Sequence, residues 1–363
     1  MSALNMSALN MSALKSTGVQ NAESIQAPSV ESPGEAIADS RAGLKSGAPP
    51  RAPRKTGRLR TRKRKSTETF ARVLITGASG QLARALALAA PPDTQCMGVS
   101  RADCDISDAA SVARAIESAR PDLVFNGAAY NLVDKAESEG AEEALRVNAL
   151  GVARLAEACA RIKIPLVHFS TDFVFDGQQR TPYQEDDIPN PLGVYGASKL
   201  AGENVALTES ERNFAIRVSR LYGPTEIDGA GSSKKPSGNF PLLMLRLAQE
   251  RDSVRVVNDQ IGSPSYTPDL ARAIWDLVRS SDGGLYHLSN EGEVAFDEYA
   301  REIFRLSGAR CEVESISTAE YGAPAQRPLY STLGNRRAQA AGVAPLRHWQ
   351  EALAEFISTL PPS

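Results

Sequence analysis

From Ala71 onward the chain alternates short apolar runs with longer stretches whose apolar residues recur every three or four positions. Arg72-Val-Leu-Ile-Thr76 is β-branched and uninterrupted, the pattern of a strand buried on both faces. It runs straight into Gly77-Ala-Ser-Gly80-Gln-Leu-Ala83 and an Ala- and Leu-rich helix that ends before Pro91-Pro92. Thr94–Val99 predicts a second strand, and Asp108–Ala119 a helix with Asp105 or Ser107 near its cap. Asp122–Asn126 predicts a third strand, Ala141–Ala160 a long helix and Pro165–Ser170 a fourth strand. This alternation predicts an α/β protein: a doubly wound parallel sheet with helices on both faces. From Asn239 the pattern is mixed. Phe240–Glu250 reads as a helix and Val254–Val257 as a strand. Thr267-Pro268-Asp269 should cap a helix containing Trp275, Leu285–Leu288 returns as a strand, and a helix follows at His348-Trp349. These elements predict a smaller C-terminal α/β lobe.

Residues 1–70 show neither period. They open on a repeated Met-Ser-Ala-Leu and continue rich in Ser, Gly, Ala and Pro, too poor in apolar surface to offset ordering entropy. The expected organisation is a disordered basic leader over 1–70, a dinucleotide-binding domain over 71–238, and a mainly substrate-binding lobe over 239–363 with some elements returning to the sheet. The formal net charge of −2 hides +7 in the leader and −9 in the rest. Nine Lys or Arg lie between Arg51 and Lys65 with no aromatic among them, so the leader reads as a solvated tail, with weak charge contact to nucleic acid or anionic lipid as the sharper alternative. It lacks the apolar core of a secretory signal, and Glu23, Glu31, Glu35 and Asp39 count against a transit peptide. With 42% hydrophobic residues the chain is not collagen-like, mucin-like or wholly disordered. No run of 18 apolar residues is present, which excludes a spanning helix. The four cysteines are scattered without a Cys-x-x-Cys, against a zinc site or disulfide framework and in keeping with a cytoplasmic setting.

Strand, glycine turn and helix in succession form the phosphate-binding context of a Rossmann-type dinucleotide fold. Gly77 allows the tight turn, and Gly80 lets the backbone approach a pyrophosphate on the helix N-terminus. Ala83 takes the third small position, giving Gly-x-x-Gly-x-x-Ala. Tyr195-Gly-Ala-Ser-Lys199 adds acid-base chemistry. Residues four apart share a helix face, so phenol and ammonium can enter one cleft, and a nearby cation lowers a tyrosine pKa. Thr171, 24 residues upstream at the end of a strand, offers a hydroxyl beside them. His168, His287 and His348 read as packing or surface histidines, and Trp275 and Trp349 as core.

These residues resemble the extended short-chain dehydrogenase/reductases, and within them the dTDP-4-dehydrorhamnose reductase family. The likeness spans Val73 to Ile357 and is carried by Thr76–Leu82, Asn126–Glu137 (NGAAYNLVDKAE), Val147–Val152, Ser170–Gly177 (STDFVFDG), Asn190–Glu203, Val257–Pro264 and Arg327-Pro328. It implies reduction of the 4-keto group of a nucleotide-linked 6-deoxyhexose. Tyr195 would protonate the emerging oxyanion, Lys199 would hold the nicotinamide ribose and depress the tyrosine pKa, and Thr171 would hydrogen-bond the reacting oxygen. It also implies cofactor contacts at Gly80, Gln81, Leu82, Asp105, Ile106, Ala128, Ala129 and Tyr130, and substrate contacts at Asp172 and, toward a diphosphate, Arg327. Phe173 stands where the related dehydratases carry a Glu, so dehydration is not expected.

Several positions depart from the family. Arg220 replaces a Trp that packs on the sugar; it would pair with a phosphate or carboxylate, or point elsewhere. Glu226–Gly238 is a long Gly-, Ser- and Lys-rich loop, read as a lid or a floppy insertion. Ala85 replaces a Glu that binds magnesium in some members, so no metal is expected. Arg101, at the end of the second strand where a ribose-binding acid would stand, tilts the cofactor to NADPH, with NADH as the alternative. The expected partner is a nucleotide-sugar substrate, with no membrane, no nucleic acid beyond weak contact through the leader, and a homodimer as the candidate assembly. Two competing functions are an NADP-binding regulatory subunit like the β subunit of methionine adenosyltransferase, and a nucleotide-sugar epimerase.

Overall fold

The computed structural model describes residues 68–224 and 238–361, all within the unit Thr61–Ser363. The leader up to residue 67 and the loop over 225–237 lie outside the described residues, and with them the readings made of both.

In chain order the first half contains β1 (Arg72–Thr76), α1 (Gln81–Leu88), β2 (Gln95–Val99), α2 (Ala109–Ala119), β3 (Leu123–Asn126), α3 (Val133–Ala136), α4 (Ala141–Leu145), α5 (Val152–Arg161), β4 (Leu166–Thr171), α6 (Val194–Glu209) and β5 (Phe214–Val218). There follow β6 (Leu221–Tyr222), α7 (Phe240–Glu250), β7 (Ser253–Val257), β8 (Ile261–Gly262), β9 (Ser265–Tyr266), α8 (Thr267–Ser280) and β10 (Gly284–His287). The chain ends with β11 (Val294–Ala295), α9 (Phe296–Ser307), β12 (Glu312–Ile316), α10 (Thr318–Tyr321), α11 (Arg336–Ala340) and α12 (Trp349–Ser358).

Six strands form the central parallel sheet in the order β10-β5-β4-β3-β1-β2. The interior strands β3, β4 and β5 are buried at every position, including the polar Asn126, His168 and Arg217, whereas β2 lies at an edge and stays partly exposed. One face is covered by α1 and α8, where Trp275 donates to the Leu86 carbonyl at 2.9 Å and meets Phe125 edge-on. The other face is covered by α2, α5 and α6 through Val112, Ile116, Leu155, Ala156 and Ala206. A separate core holds the lobe together around Tyr222, Tyr299, Phe304, Trp349 and Phe356, with β7 and β12 paired in parallel and β8 and β11 antiparallel. Strand order reverses between β1 and β3, and the register sets Thr76 beside Asn126 and Asn126 beside His168. The carboxyl ends of these strands therefore open on one crevice, where doubly wound sheets bind ligands.

Three local expectations change. The helix expected over Ala141–Ala160 contains a π-helical stretch, Arg146–Gly151, between α4 and α5. Asn148 bonds the Tyr130 backbone there, and Gly151 sits where a Cβ would fall 2.8 Å from Ile106, so an extra residue is accommodated in the turn. Helix α2 is capped by Asp108, whose carboxylate accepts from the Ala110 amide at 2.9 Å, while Asp105 turns to the Ser107 amide and hydroxyl. Helix α8 begins at Thr267 without a side-chain cap; Asp269 is buried and binds Arg347 and Asn290 instead.

Candidate active site

The glycine loop forms the floor of the crevice. Gly77 has φ +63°, and a Cβ there would lie 2.6 Å from the Gly127 carbonyl carbon and the Ala128 nitrogen, so the turn admits only glycine. Gly80 donates to the Gly77 carbonyl at 2.9 Å and leaves the start of α1 without a side-chain cap. A cradle that a Cβ would fill, beside an uncapped helix N-terminus, fits a dinucleotide phosphate. Ala128, Ala129 and Tyr130 continue the wall as half-buried residues. Leu82 and Ile106 are buried in the cores on opposite faces of the sheet. Gln81 reaches across to the lobe, donating to the Leu221 carbonyl at 3.1 Å and accepting from Asn239 at 3.3 Å.

Arg101 is largely exposed and pairs with Glu143 at 3.0 Å and, at 3.8 Å, with Asp105. Two residues that earned no role from the sequence organise this wall. Asn126 accepts from the Thr76 hydroxyl at 2.7 Å and the Ala128 amide at 3.2 Å. Asn148 accepts from the Tyr130 amide at 2.9 Å and donates to Ser198, whose hydroxyl donates to the Tyr195 carbonyl at 2.7 Å. Both asparagines lie in the motif stretches Asn126–Glu137 and Val147–Val152, the available signal for them.

Thr171 ends β4, and Tyr195 and Lys199 stand one turn apart on α6. The Thr171 hydroxyl donates to Asp172 and accepts from the Phe173 amide, each at 3.2 Å, and it acts on the nearby Tyr195 phenol. Phe173 packs edge-on against the Tyr195 ring, centroids 5.6 Å apart, and brings no titratable group to it. Lys199 is buried, and its Nζ donates to the Phe169 carbonyl at 2.5 Å. The expected lowering of the tyrosine pKa is reversed in this structure. Burial pushes the Tyr195 phenol up to about 12, against the pull of the Thr171 hydroxyl and aided by the Asp172 charge. The ammonium is turned to the sheet, and its own burial pushes it down to about 8 against the pull of Glu203. At neutral pH Tyr195 therefore holds its proton.

Beside this set lies a cavity of about 500 Å³, lined among others by Asp172, Phe173, Arg220, Phe296, Arg327 and Ser331. Val133, Phe173 and Pro328 line both it and the crevice at Tyr195. Asp172 is buried and accepts from Ser331 at 2.6 Å, Ser219 at 3.0 Å and Thr171 at 3.2 Å. Burial raises its pKa, and those hydroxyls and the Arg220 charge oppose the rise. Arg220 has φ +45°, lies 3.9 Å over the Phe296 ring, and donates to the carbonyls of Val294 at 2.8 Å and Gln260 at 2.9 Å. Its charge and that of Asp172 act on each other across this wall, without a direct ion pair. Arg327 is held by Asp134 at 2.9 Å. Ser331 is 159 residues from Asp172, beyond the reach of any local pattern. His168 bonds Asn126, His287 bonds Arg217, and His348 caps α12, so none enters the set. Among the described residues no three His, Cys, Asp or Glu side chains gather as a metal-ion set.

The sequence profile of the RmlD substrate binding domain matches residues 71–361. The spore coat polysaccharide biosynthesis protein SpsK of Bacillus subtilis is 39% identical over 79% of this chain and 96% of its own length. The dTDP-4-dehydrorhamnose reductase of Mycobacterium tuberculosis is 41% identical over 79% of this chain and 92% of its own. Among solved structures, dTDP-4-dehydrorhamnose reductase from Bacillus anthracis in complex with NADP superposes with a TM-score of 0.75 at 35% identity, covering 80% of this chain and 100% of that one. The match runs through the glycine loop, the Thr171–Tyr195–Lys199 set and the lobe beyond them, and the chain belongs to the RmlD substrate binding domain family.

Proposed function

We infer that the chain is an NADPH-dependent reductase of the 4-keto group of a nucleotide-linked 6-deoxyhexose, converting dTDP-4-dehydrorhamnose to dTDP-rhamnose. The observation that carries this reading is Tyr195, protonated at neutral pH, one helical turn from Lys199 and lining a crevice that shares Val133, Phe173 and Pro328 with the cavity of Asp172. NADPH, when bound, supplies the hydride. Gly77, Gly80, Gln81 and Leu82 would hold its pyrophosphate through their backbone, and Asp105, Ile106, Ala128, Ala129 and Tyr130 would line the rest of its site, within the domain expected over 71–238. Arg101, exposed at the end of β2, reaches the 2′-phosphate. Lys199 would hold the nicotinamide ribose by turning its ammonium from the Phe169 carbonyl that it binds here.

The sugar occupies the cavity between this domain and the lobe of residues 239–363. As the carbonyl carbon becomes tetrahedral, its oxygen gains charge; Tyr195 donates the phenolic proton to it and Thr171 donates a hydrogen bond. Asp172, held by Ser219 and Ser331, accepts from a sugar hydroxyl. Arg220 sets the wall on which the sugar rests. Phe173 supplies no further acid, which suits reduction over dehydration. A cytoplasmic place and a homodimeric assembly complete the reading. The first is supported by four free cysteines, and no helix among the described residues is long and apolar enough to cross a membrane.

The test is NADPH oxidation by the full chain with dTDP-4-dehydrorhamnose generated in place. Rapid oxidation should fall about 100-fold or more in Tyr195→Phe while NADPH still binds, since general acid catalysis contributes about 10²–10⁴-fold. Unchanged turnover in that variant would remove Tyr195 from its role. NADPH binding without oxidation in the wild type would favour the regulatory-subunit reading.

A further inference from the structure

We propose that Asp134 is an internal stand-in for the substrate's diphosphate: it holds Arg327 at the edge of the cavity until a diphosphate takes its place. The proposal rests on the sugar-nucleotide reading above and concerns how that site selects its anion.

The geometry is a clasp between distant parts of the chain. Asp134 lies on α3, just after the crevice of β3, and Arg327 lies 193 residues later, after α10. Arg327 Nη2 donates to both carboxylate oxygens, at 2.9 and 3.0 Å, and its Nη1 donates to the Ala325 carbonyl at 3.1 Å. The Ala325 amide also donates to Asp134 at 3.3 Å. Asp134 and Arg327 both line the cavity.

The other two cations there are differently placed. Arg220 spends both terminal nitrogens on the Val294 and Gln260 carbonyls and is stacked on Phe296, so it is a fixed part of the wall. Lys135 pairs with Glu139 at 3.3 Å, with both side chains more than 60% exposed. Arg327 differs from Arg220 in being held by a carboxylate and from Lys135 in being more covered: its side chain is 18% exposed, and that of its partner Asp134 is 45% exposed.

That asymmetry favours exchange. A half-exposed carboxylate returns to water readily, and solvent screening weakens its hold on the guanidinium. A guanidinium fork binds phosphate oxygens in two parallel hydrogen bonds, and a diphosphate brings more charge than the single carboxylate it displaces. Asp134 thus holds the Arg327 guanidinium at the cavity wall in the free protein and competes with the incoming anion.

The experiment is calorimetric titration of the full chain, NADPH present, with dTDP as the probe. Asp134→Asn and Asp134→Ala should bind dTDP about two- to fivefold more tightly than the wild type. The difference should shrink at high salt, which screens the competing pair. Arg327→Met should bind at least about tenfold more weakly. Thermal melts of each variant show that it is folded. Weakened binding in both Asp134 variants, of the size seen in Arg327→Met, would make Asp134 a support for Arg327 and overturn the proposal; so would binding equal to the wild type. A wild type that binds NADPH but no dTDP would instead refute the sugar-nucleotide reading on which the proposal stands.

Discussion

Replacing Lys199 by Met should abolish turnover and yet stabilise the fold. Lys199 is 3% exposed, and burial holds it at about 8, below its ordinary 10.5. Keeping the ammonium charged inside the protein therefore costs about 3 kcal/mol at neutral pH. The methionine removes that cost and loses the hydrogen bond to the Phe169 carbonyl, worth about 1 kcal/mol, for a net gain of about 2 kcal/mol. No buried charge is orphaned, because Glu203 keeps Arg217 at 2.9 and 2.5 Å. The assay is urea unfolding without cofactor, wild type against variant, over a pH series. Between about pH 8 and 10.5 the unfolded wild type holds a proton that the folded protein has released, so rising pH there favours the folded wild type. The variant's advantage should be full below pH 8, shrink through that window, and be gone or reversed above it. A variant less stable than the wild type at pH 7, or an advantage that does not change between pH 7 and 10, would refute the reasoning.

The neighbouring ion pair should behave in the opposite way. Arg217→Met leaves Glu203 buried without its bidentate partner and removes a donor to His287, which should cost about 3–5 kcal/mol in urea unfolding; a loss under about 1 kcal/mol would show that Lys199 alone can neutralise the carboxylate. Arg101→Ala should weaken NADPH binding and leave NADH binding little changed, measured by cofactor fluorescence titration. An equal effect on both cofactors would place Arg101 away from the 2′-phosphate.

Much of the site's frame was legible in short range. Gly77 and Gly80 stand at fixed spacing after an apolar strand, and the turn they make is a local steric matter: the left-handed φ of Gly77 follows from the close approach of Gly127 and Ala128. Tyr195 and Lys199 share a face because they are one helical turn apart. The long-range partners were not legible. Ser331 reaches Asp172, Asp134 reaches Arg327 and Asn148 ties Tyr130 to Ser198, each pairing set by how the lobe and helices pack against the sheet.

The pKa of Tyr195 shows the same division. Residue spacing alone argues for a lysine lowering it, since the sequence states that a cation lies one turn away. Where that cation points, and how much water reaches the phenol, depend on burial. The structure turns Lys199 to the Phe169 carbonyl and leaves desolvation as the larger effect on Tyr195. The identity, order and local geometry of Gly77, Gly80, Tyr195 and Lys199 were thus determined by the sequence, through sterics and helical periodicity. Their protonation, and the partners that hold Asp172, Arg220 and Arg327, were decided by tertiary structure. Solvation and Coulomb energies depend on distances between residues far apart in the chain, and only the packed fold sets those distances.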